Sequence, residues 1–415
     1  MKLLLVGNHT CGNRGDGAII RGLIAELTEQ RPDIKIDAYS RFPISSSYLL
    51  GHTLTMDPLD QYHDSSASGF LGRLWKKYSR RFLGYHLASK LNKHGSQKLP
   101  KHVENQIDAL SQYDAIIQVG GSFFVDLYGP AQFEHALCAL LAKKKLFLLG
   151  HSVGPFASKK YSKLANQVFS LVDELALRES LSLNYMNQAG ISSSKVTDGA
   201  DTAWVVPNKS VTIPAHIELL TKTAPTIAIT LRELAPFDKR LGVTQQQYEQ
   251  HFAQLIDELI SDGYNVVLCS TCTGIGGYHR DDRMTALKVQ KLVSNKQMCH
   301  VIMDELNDVE LGTFLSLCTL TIGTRLHSAI ISMNFGTPAV ALNYEHKSKG
   351  IMAQLDLPEL SKDVSSLFDG DLLTSVRTLL SNIEQVNDNM GLQVEKERQK
   401  VRDMVTRVLT KIEQG

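Results

Sequence analysis

The sequence predicts an α/β protein built from two Rossmann-like domains that face a cleft. Its 415 residues exceed what one hydrophobic core usually supports, so two domains of roughly 200 residues are expected. Short apolar runs typical of buried strands alternate with amphipathic helical patterns along the chain. Polar side chains follow several of these runs in both halves, which is where open α/β sheets keep their ligand sites.

The domain boundaries follow from composition. The predicted N-terminal domain covers residues 1–206, and a stretch with Pro and Thr at residues 207–225 is the predicted linker. The predicted C-terminal domain covers residues 226–415, and its last forty residues have the charged pattern of a terminal helix.

Charge and cysteine content exclude several classes of protein. The 44 Lys and Arg residues balance 43 Asp and Glu residues, so nothing indicates a nucleic-acid partner. Six cysteines without paired spacing suit a reducing compartment. Cys269 and Cys272 form a close pair without a second Cys or His pair at zinc spacing, which favours a structural role over a redox or metal-binding one.

The apolar runs also bear on location. The first run is too short for a signal peptide, and no window approaches the ~20 apolar residues of a membrane span. The sequence therefore predicts a cytoplasmic protein, or one that is peripheral at the inner face of a membrane.

One stretch of the second half carries the clearest chemical signal. An apolar run at residues 320–322 stops at Gly323, delivers Arg325 and His327, and leads into a helical pattern. The guanidinium of Arg325 suits a carboxylate or phosphate, and His327 can exchange a proton near neutral pH. The pair predicts a site for an anionic substrate. The alternative is a structural ion pair for Arg325 and a core position for His327.

A glycine-rich loop opens the chain. A short apolar strand at residues 2–6 leads into a loop at residues 7–17, which is followed by a helical pattern. Backbone amides at such a helix start can hold an anion, although the spacing is not that of a dinucleotide fingerprint. Asp16 is either a helix cap or, with Asn13, part of the lining of a cleft.

Other predicted strands end in polar tips as well. Since the carboxyl ends of parallel strands meet at one sheet edge, these tips are expected to form a site, although each one alone is also explained by turn chemistry. The tip residues are Gly120 and Gly121, His151 and Ser152, Arg178 and Glu179, and, in the second half, Arg232 and Glu233.

One segment is locally basic. Residues 65–103 contain no acidic residue, but they contain nine Lys and Arg residues interleaved with aromatic ones, concentrated in a basic segment at residues 70–101. Such an amphipathic pattern fits contact with an anionic membrane surface or a phosphorylated lipid carrier. A solvated helix face that covers the core is the alternative.

Several motifs together resemble the polysaccharide pyruvyltransferase family. They are Gly7-Asn-x-x-x-Gly-Asn-x-Gly-Asp16, Gly120-Gly-Ser122, His151-Ser-Val-Gly-Pro155, Arg178-Glu-Ser180, Arg325-Leu-His327, Gly336-Thr-Pro338 and Tyr344-Glu-His-Lys347. Within that family, residues 118–126, 230–240 and 323–347 resemble the members that act in colanic acid biosynthesis. The resemblance implies a GT-B-like fold and transfer of pyruvate from phosphoenolpyruvate to two hydroxyls of a sugar as a cyclic ketal.

The resemblance also implies roles for individual residues. Phosphoenolpyruvate carries a carboxylate and a phosphate, for which the strand ends supply Arg178, Arg232 and Arg325. His327 matches the histidine of the Arg-x-His motif and is the expected acid, so that His327, Arg325 and Arg178 are the expected catalytic residues. The expected substrate-binding residues are Asn13, Asp16, Gly120, Gly121, His151, Ser152, Glu179, Arg232, Glu233, His346 and Lys347, of which His151 and Glu179 are candidates for activating the sugar hydroxyl and His346 for contacting phosphate.

The expected partners follow from the same resemblance. Phosphoenolpyruvate would bind to the C-terminal domain as co-substrate, and a lipid-linked oligosaccharide, with galactose as the suggested sugar, would bind to the N-terminal domain. No cofactor or metal is expected, because arginines can carry the charge. Two alternatives stay open, a GT-B glycosyltransferase that uses a nucleotide-sugar and a non-catalytic subunit of a polysaccharide assembly complex.

Overall fold

A computed structural model of the protein describes residues 1–64, 70–92, 98–235, 238–343 and 346–414. The chain forms two compact units. The first unit comprises Met1–Thr10, Ile19–Thr202 and Gln399–Gly415, and the second comprises Cys11–Ala18 and Ala203–Arg398. The loop at residues 11–18 thus belongs to the second unit, whereas the sequence analysis placed it in an N-terminal domain ending at residue 206. The end of the terminal helix belongs to the first unit.

The first unit contains a parallel sheet. Its strands, within the described residues, are β1 (Lys2–Asn8), β2 (Lys35–Ser40), β3 (Thr55–Met56), β4 (Ala115–Gln118), β5 (Gly121–Phe124), β6 (Lys145–Val153), β7 (Glu174–Leu177) and β8 (Val196–Asp198). They lie in the order β3-β2-β1-β4-β6-β7-β8, and β5 pairs with β6 beside this path. The order reverses direction between β1 and β4, as in a Rossmann fold.

Helices connect these strands. They are α1 (Arg14–Gln30), α2 (Pro43–Leu50), α3 (Pro58–Asp64), α4 (Phe70–Leu91), α5 (Lys101–Ala109), α6 (Glu134–Leu141), α7 (Lys159–Phe169) and α8 (Ser180–Gln188). The basic segment predicted from the sequence forms α4 and the start of α5, and its residues 93–97 lie outside the described residues.

Apolar strands buried on both faces form the core of the first unit. Leu4, Ile116 and Leu148 on neighbouring strands are buried, and helix residues such as Leu87 and Val168 pack in the same cluster. Such continuous apolar runs are typical of parallel strands that helices cover on both sides.

The second unit contains another parallel sheet. Its strands are β9 (Thr226–Thr230), β10 (Asn265–Cys269), β11 (Cys299–Val301), β12 (Leu320–Gly323), β13 (Ala339–Asn343) and β14 (Ser361–Asp363). Among the described residues they lie in the order β11-β10-β9-β12-β13-β14. Counted within this unit, the order is 3-2-1-4-5-6, which is the strand order of a Rossmann fold.

Helices also connect the strands of the second unit. They are α9 (Ala215–Glu218), α10 (Asp238–Leu241), α11 (Gln245–Ser261), α12 (Arg283–Leu292), α13 (Asp308–Leu315), α14 (Leu326–Asn334), α15 (His346–Gln354), α16 (Ser366–Asp369), α17 (Asp371–Ser381) and α18 (Ile383–Glu413). Thr244 with Gln247 forms a capping box at α11, and Asn307 with Glu310 forms one at α13.

Short 3-10 turns also occur among the described residues. They are Leu110–Gln112, Asp126–Tyr128, Pro130–Phe133, Thr202–Val205, Leu219–Thr221, Lys296–Met298 and Pro358–Leu360.

The structure confirms most of the predicted elements and corrects one. The strand after Met1, the helix after the glycine-rich loop and the terminal helix are present. The tip at Gly120 and Gly121 was expected to follow the end of a strand, but Gly121 itself starts a further strand, β5. Gly121 adopts a φ of 153°, and β5 pairs with the end of β6, beyond the part of β6 that pairs with β4. In the described part of the chain, every helix is too short or too polar to cross a bilayer.

Asp57 provides a test of how the first unit is held together. Its carboxylate accepts hydrogen bonds from the Leu59 amide at 2.9 Å and from His135 Nε2 at 2.9 Å, so that it caps α3 and pairs with α6. Burial raises the pKa of this carboxyl, but His135, Arg41 and the Asp60 amide outweigh burial and hold the pKa well below its usual range.

We expect Asp57→Asn to lower the free energy of unfolding by about 2 kcal/mol near pH 7, because it removes a buried carboxylate that caps α3 and accepts a hydrogen bond from His135. A depressed carboxyl pKa stabilises the fold above the unfolded value of about 4 and loses this effect as the pH falls towards the folded value. Chemical denaturation at several pH values should therefore show the gap between wild type and variant narrowing below about pH 4. Asp33→Asn, in an exposed pair with Arg31, is the matched control and should change stability little. If the difference in unfolding free energy between wild type and Asp57→Asn did not change with pH, the lowered pKa of Asp57 would be contradicted.

Candidate functional site

The switch point of the second sheet brings two predicted residues to one edge. The strand order reverses between β9 and β12, and open α/β sheets bind ligands outside the carboxyl ends of the strands at such a point. Arg232 follows β9, and Arg325 follows β12. The Thr324 amide donates to Thr230 Oγ1 at 3.2 Å, which ties the two strand ends together.

Arg325 is held by a carboxylate that the sequence analysis did not identify. Its Nε and Nη2 each donate to Asp282 at 2.7 Å, in a bidentate pair. Asp282 is buried and also accepts from the Cys272 amide at 3.1 Å, so the carboxylate is itself fixed. The side chain of Arg325 is 18% exposed. The ion pair considered as the alternative role for Arg325 is therefore present, and it orients a guanidinium that still reaches the surface of the unit.

The turn that carries Arg325 and His327 depends on close packing. Ser328, in the first turn of α14, donates to the Arg325 carbonyl at 2.6 Å and accepts from Thr230 Oγ1 at 2.8 Å. A Cβ on Gly323 would collide with this same hydroxyl. Only glycine therefore lets α14 approach the end of β12 closely enough to form the turn.

His327 lies against the glycine-rich loop. A Cβ on Gly15 would lie 2.5 Å from His327 Nδ1 and 2.6 Å from its Cγ, so the imidazole lies directly over this glycine. His327 is half-buried, in contrast to the core position considered as the alternative. The missing side chain at residue 15 is thus what leaves room for the imidazole at the switch point.

The glycine-rich loop joins the end of β10 through its backbone. Asn13 forms an antiparallel bridge with Cys272, and the Arg14 amide donates to the Thr271 carbonyl at 2.7 Å. The Asn13 Oδ1 accepts from the Gly15 amide at 3.1 Å, which shapes the turn before α1. Asp16 lies half-buried in the first turn of α1, where the helix dipole favours a carboxylate.

A buried arginine fastens this loop. Arg14 is 1% exposed and pairs with Glu305. Its guanidinium also donates to the carbonyls of Leu306, Cys11 and Gly12 and to Thr273 Oγ1, the last at 2.7 Å. Sequence reasoning missed Arg14, although its position between Asn13 and Gly15 in a quoted motif was the available signal.

The surroundings of Cys272 and Tyr278 raise the pKa of both groups. Burial raises the pKa of the Cys272 thiol to about 11, with opposing effects from the Arg325 guanidinium and the Asp282 carboxylate. Burial and the neighbouring thiol also raise the pKa of Tyr278 well above its usual value. Both groups therefore stay protonated at neutral pH, and Cys272 lacks the thiolate that a nucleophile needs. This supports the structural interpretation of Cys272.

Cys269 behaves in the same way. It is buried, and burial raises the pKa of its thiol to about 12. Among the described residues, no group of three or more His, Cys, Asp or Glu side chains has an arrangement that could hold a metal ion.

The strand ends of the first unit form a second cluster around Arg178. This residue follows β7, is buried and pairs with the buried Asp201. Its Nε donates to Ser152 Oγ at 2.9 Å, and its Nη2 donates to Ser122 Oγ at 2.6 Å. The structure thus brings together the ends of β6 and β7 and the start of β5, as the sequence analysis expected for these tips.

His151 and Glu179 of this cluster are both engaged. His151 is fully buried, contacts the Phe124 ring at 4.9 Å between centroids, and lies 3.2 Å from the Gln118 carbonyl through Nε2. Burial lowers the pKa of His151 to about 3, so its imidazole is neutral at physiological pH. Glu179 caps α8 by accepting from the Ser182 amide at 2.9 Å.

Gly120 and Gly121 allow close backbone approach. A Cβ on Gly120 would lie 2.6 Å from the Gly150 carbonyl oxygen, and one on Gly121 would collide with the Phe123 ring. These two positions therefore require glycine for packing, independently of any ligand.

Two of the remaining predicted residues lie at the end of β9, and the other two have side chains outside the described residues. Arg232 donates through Nε to the Glu233 carbonyl at 3.0 Å, and the exposed Glu233 pairs with Arg280. His346 and Lys347 start the backbone of α15, but their side chains lie outside the described residues.

The structure thus groups the predicted residues into two clusters. Asn13, Asp16, Arg325 and His327 belong to the second unit, and Gly120, Gly121, His151, Ser152, Arg178 and Glu179 belong to the first. Asp282 and Asp201 were missed because each lies far along the chain from the arginine it binds. The charged run at residues 280–283, directly after a glycine-rich turn, was the one available signal for Asp282.

Comparison with known structures first defines the class of fold. UDP-GlcNAc 2-epimerase from Neisseria meningitidis is 14% identical with a TM-score of 0.63, and the match covers 99% of this chain and 100% of that one. Anabaena Alr3699/HepE, solved with UDP-glucose, is 13% identical with a TM-score of 0.60 and the same coverage. These likenesses and the two parallel sheets confirm the predicted class, an α/β protein with two Rossmann-like domains of GT-B-like fold.

Comparison of the sequence then defines the family. The model of the polysaccharide pyruvyl transferase family matches residues 13–346. The amylovoran biosynthesis protein AmsJ of Erwinia amylovora is 54% identical over 405 residues, which is 96% of each chain. This chain belongs to the polysaccharide pyruvyl transferase family and is a pyruvyltransferase. The resemblance seen in its motifs is confirmed at the level of the family.

The contact between Gly15 and His327 makes a testable pair of substitutions. We expect Gly15→Ala to reduce the rate of pyruvyl transfer by at least about tenfold, because the new methyl group displaces the imidazole and small misplacements near reacting groups are costly. Gly17→Ala is the matched control, since its Cβ would find only ordinary contacts at 3.5 Å or more. Steady-state rates, with circular dichroism as the check on folding, would decide. Equal rates for the two variants would show that pyruvyl transfer does not depend on the contact between Gly15 and His327.

The pairing of Arg325 with Asp282 makes a second prediction. Asp282→Asn removes the charge that orients the guanidinium, so we expect the catalytic efficiency to fall by roughly 10- to 100-fold. Asp282→Glu, which keeps the charge, should recover part of this loss. Asp281→Asn, which loses a partner of Arg283 instead, serves as the control. A normal rate for Asp282→Asn, measured at saturating and limiting donor concentrations, would contradict the positioning role.

Proposed function

We propose that this enzyme transfers pyruvate from phosphoenolpyruvate to two hydroxyls of one sugar in an exopolysaccharide repeat unit, forming a cyclic ketal and releasing phosphate. Membership of the polysaccharide pyruvyl transferase family supports pyruvyl transfer to a polysaccharide. The name of the relative AmsJ, an amylovoran biosynthesis protein, supports an exopolysaccharide as the product. The observation that carries the proposal is the placing of Arg325 and His327 at the switch point of the second sheet.

The proposed reaction balances without an oxidant or reductant. Protonation of the methylene carbon of phosphoenolpyruvate gives a methyl group and a cationic centre at C2, which one sugar hydroxyl attacks. Phosphate then leaves, and the second hydroxyl closes the ring at C2. Of the two hydroxyl protons lost, one replaces the proton delivered to the methyl group, and the other leaves with phosphate.

His327 is the proposed acid. Its imidazole is half-buried at the start of α14 and lies against Gly15. A general acid must be held in place within reach of the carbon that it protonates, and this packing restricts the ring. His327 would donate its proton to the methylene carbon and recover one from the attacking hydroxyl.

Arginines are the proposed anion-binding groups. Arg325, oriented by Asp282, would bind the carboxylate or phosphate of the donor, and Arg232 at the neighbouring strand end would bind the other group. With arginines in these roles the reaction needs neither metal nor cofactor. Arg178 is committed to Asp201, Ser152 and Ser122, so its proposed contribution is to fix the strand ends of the first unit.

The acceptor is the less defined substrate. We propose that the acceptor is a lipid-linked oligosaccharide that carries galactose and binds through the strand ends of the first unit. That the polymer is colanic acid stays a prediction. The two alternatives, a GT-B glycosyltransferase and a non-catalytic subunit, are less well supported because the matching family is a family of pyruvyl transferases. Binding of UDP-sugars by proteins of the same fold, at 13–14% identity, bears on the fold alone.

Phosphate release provides the direct test. We expect phosphate to be released from phosphoenolpyruvate only when a galactose-terminated acceptor is present. His327→Ala should lower this rate by at least about 100-fold, because it removes the acid, and Arg325→Lys should lower it as well by losing the bidentate geometry. His216→Ala, an exposed histidine on α9, is the matched control.

The outcomes of this experiment are distinct. Acceptor-dependent release that His327→Ala abolishes, with product mass increased by one pyruvyl ketal, is the expected result. No release with any acceptor, together with tight binding of a nucleotide-sugar, would overturn the proposal. Normal release by His327→Ala would leave pyruvyl transfer standing and exclude this residue as the acid.

A further inference from the structure

Helix α4 has an inner face that fixes it to the first unit. Ser79, Leu83 and Leu87 on this face are buried. Ser79 Oγ lies 2.8 Å from His63 Nδ1 on α3, and a Cβ on Gly84 would lie 2.6 Å from the Pro130 carbonyl oxygen. The orientation of this part of α4 is therefore set by packing, and the residues on the opposite side of the helix, such as Tyr78 and Phe82, face outwards.

The outer face of α4 is aromatic and basic. Tyr78 is 45% exposed and Phe82 is 59% exposed, although residues of this size are usually buried. Their rings stack with 6.1 Å between centroids, and the exposed Arg81 lies beside them. Tyr85 follows Phe82 at helical spacing and lies half-buried at the edge of this face, where it also packs against the core.

Helix α7 continues this face with further cations. Lys160 Nζ lies 3.9 Å from the centre of the Tyr85 ring, in a cation–π contact. Gln167 donates to the Ala88 carbonyl at 2.9 Å, which fastens α7 to α4. The exposed Lys159 and Lys163 flank Lys160 on α7. Tyr78, Arg81, Phe82, Tyr85 and Lys160 thus form one continuous surface, here called the aromatic-basic face.

The charge of this surface is strongly one-sided. Neither the sequence at residues 65–103 nor α7 contains an acidic residue, although the whole chain is nearly neutral. Asp126 is the acidic group near Tyr85, and its carboxylate is occupied by the amides of Ala157 and Ser158 at 2.8 and 3.0 Å. A surface of this kind attracts anions, and its aromatic rings suit the boundary between lipid headgroups and acyl chains.

We propose that the aromatic-basic face docks on the surface of an anionic lipid bilayer. Phe82 and Tyr78 would enter the headgroup region, while Arg81, Lys159, Lys160 and Lys163 would lie at the level of the lipid phosphates. Basic side chains scattered among a few aromatic ones fit a charged lipid surface better than a protein partner, whose interface core is depleted of lysine. The inference does not depend on the identity of the sugar substrate, and a lipid-linked acceptor would give this docking a purpose.

Vesicle co-sedimentation of the full chain tests the proposal. We expect binding to mixed phosphatidylcholine–phosphatidylglycerol vesicles, little binding to phosphatidylcholine vesicles, and weaker binding as salt screens the charges. The double variants Tyr78→Ser/Phe82→Ser and Arg81→Glu/Lys160→Glu should each lower the bound fraction at least about tenfold. Phosphate release with a water-soluble acceptor should stay unchanged, because these residues lie outside the proposed catalytic machinery.

Matched controls separate docking from general surface effects. Leu392→Ser removes a comparably exposed apolar side chain on α18, and Lys291→Glu/Lys296→Glu makes the same change of charge at two exposed positions of the second unit. Both should bind vesicles as the wild type does. Equal binding to neutral and anionic vesicles, or equal loss in the control variants, would overturn the proposal. Concentration-dependent dimers that Phe82→Ser disrupts, with no vesicle binding, would assign the face to a second copy of the chain instead.

Discussion

The buried charge of Arg14 is the constraint on which the placement of the glycine-rich loop depends. An unpaired guanidinium away from water is very unfavourable, so the chain must surround it with acceptors. Glu305, Thr273 and three backbone carbonyls supply them, and two of these carbonyls belong to the glycine-rich loop itself. The loop consequently has one place to lie, along the end of β10. Every contact that follows, including that of Gly15 with His327, depends on this placement.

Two arginines of the predicted site illustrate opposite uses of the same side chain. Arg178 has 2% of its side chain exposed and is satisfied by Asp201 and two serine hydroxyls. It behaves as a structural centre that joins strand ends. Arg325 keeps 18% of its side chain exposed and makes a bidentate pair on one side. Because a carboxylate fixes its orientation while part of the side chain stays accessible, Arg325 is suited to meet an anion from solution.

The sequence predicted the elements and strand ends well because local signals define them. The apolar run ending at Gly323 and the helical pattern after His327 correspond to β12 and α14. It could not reveal the partners, since Asp282 lies 43 residues from Arg325 and nothing local connects them. Glu179 shows the opposite difficulty. A carboxylate at a strand end resembles a catalytic group in the sequence, whereas in the structure it caps α8, a role that only hydrogen-bond geometry distinguishes.

The proposed cation and the proposed acid are positioned by two different kinds of contact. Asp282 binds Arg325 in a bidentate pair and is itself fixed by the Cys272 amide, so the guanidinium is oriented by charge and hydrogen bonding. His327 lies on the helix that starts directly after Arg325, and its imidazole is held by close packing against Gly15. In the proposed reaction, anion binding would therefore depend on a carboxylate, whereas placement of the acid would depend on the absence of a side chain at residue 15. Neither contact involves the donor, so both groups are in place within the second unit before a substrate binds.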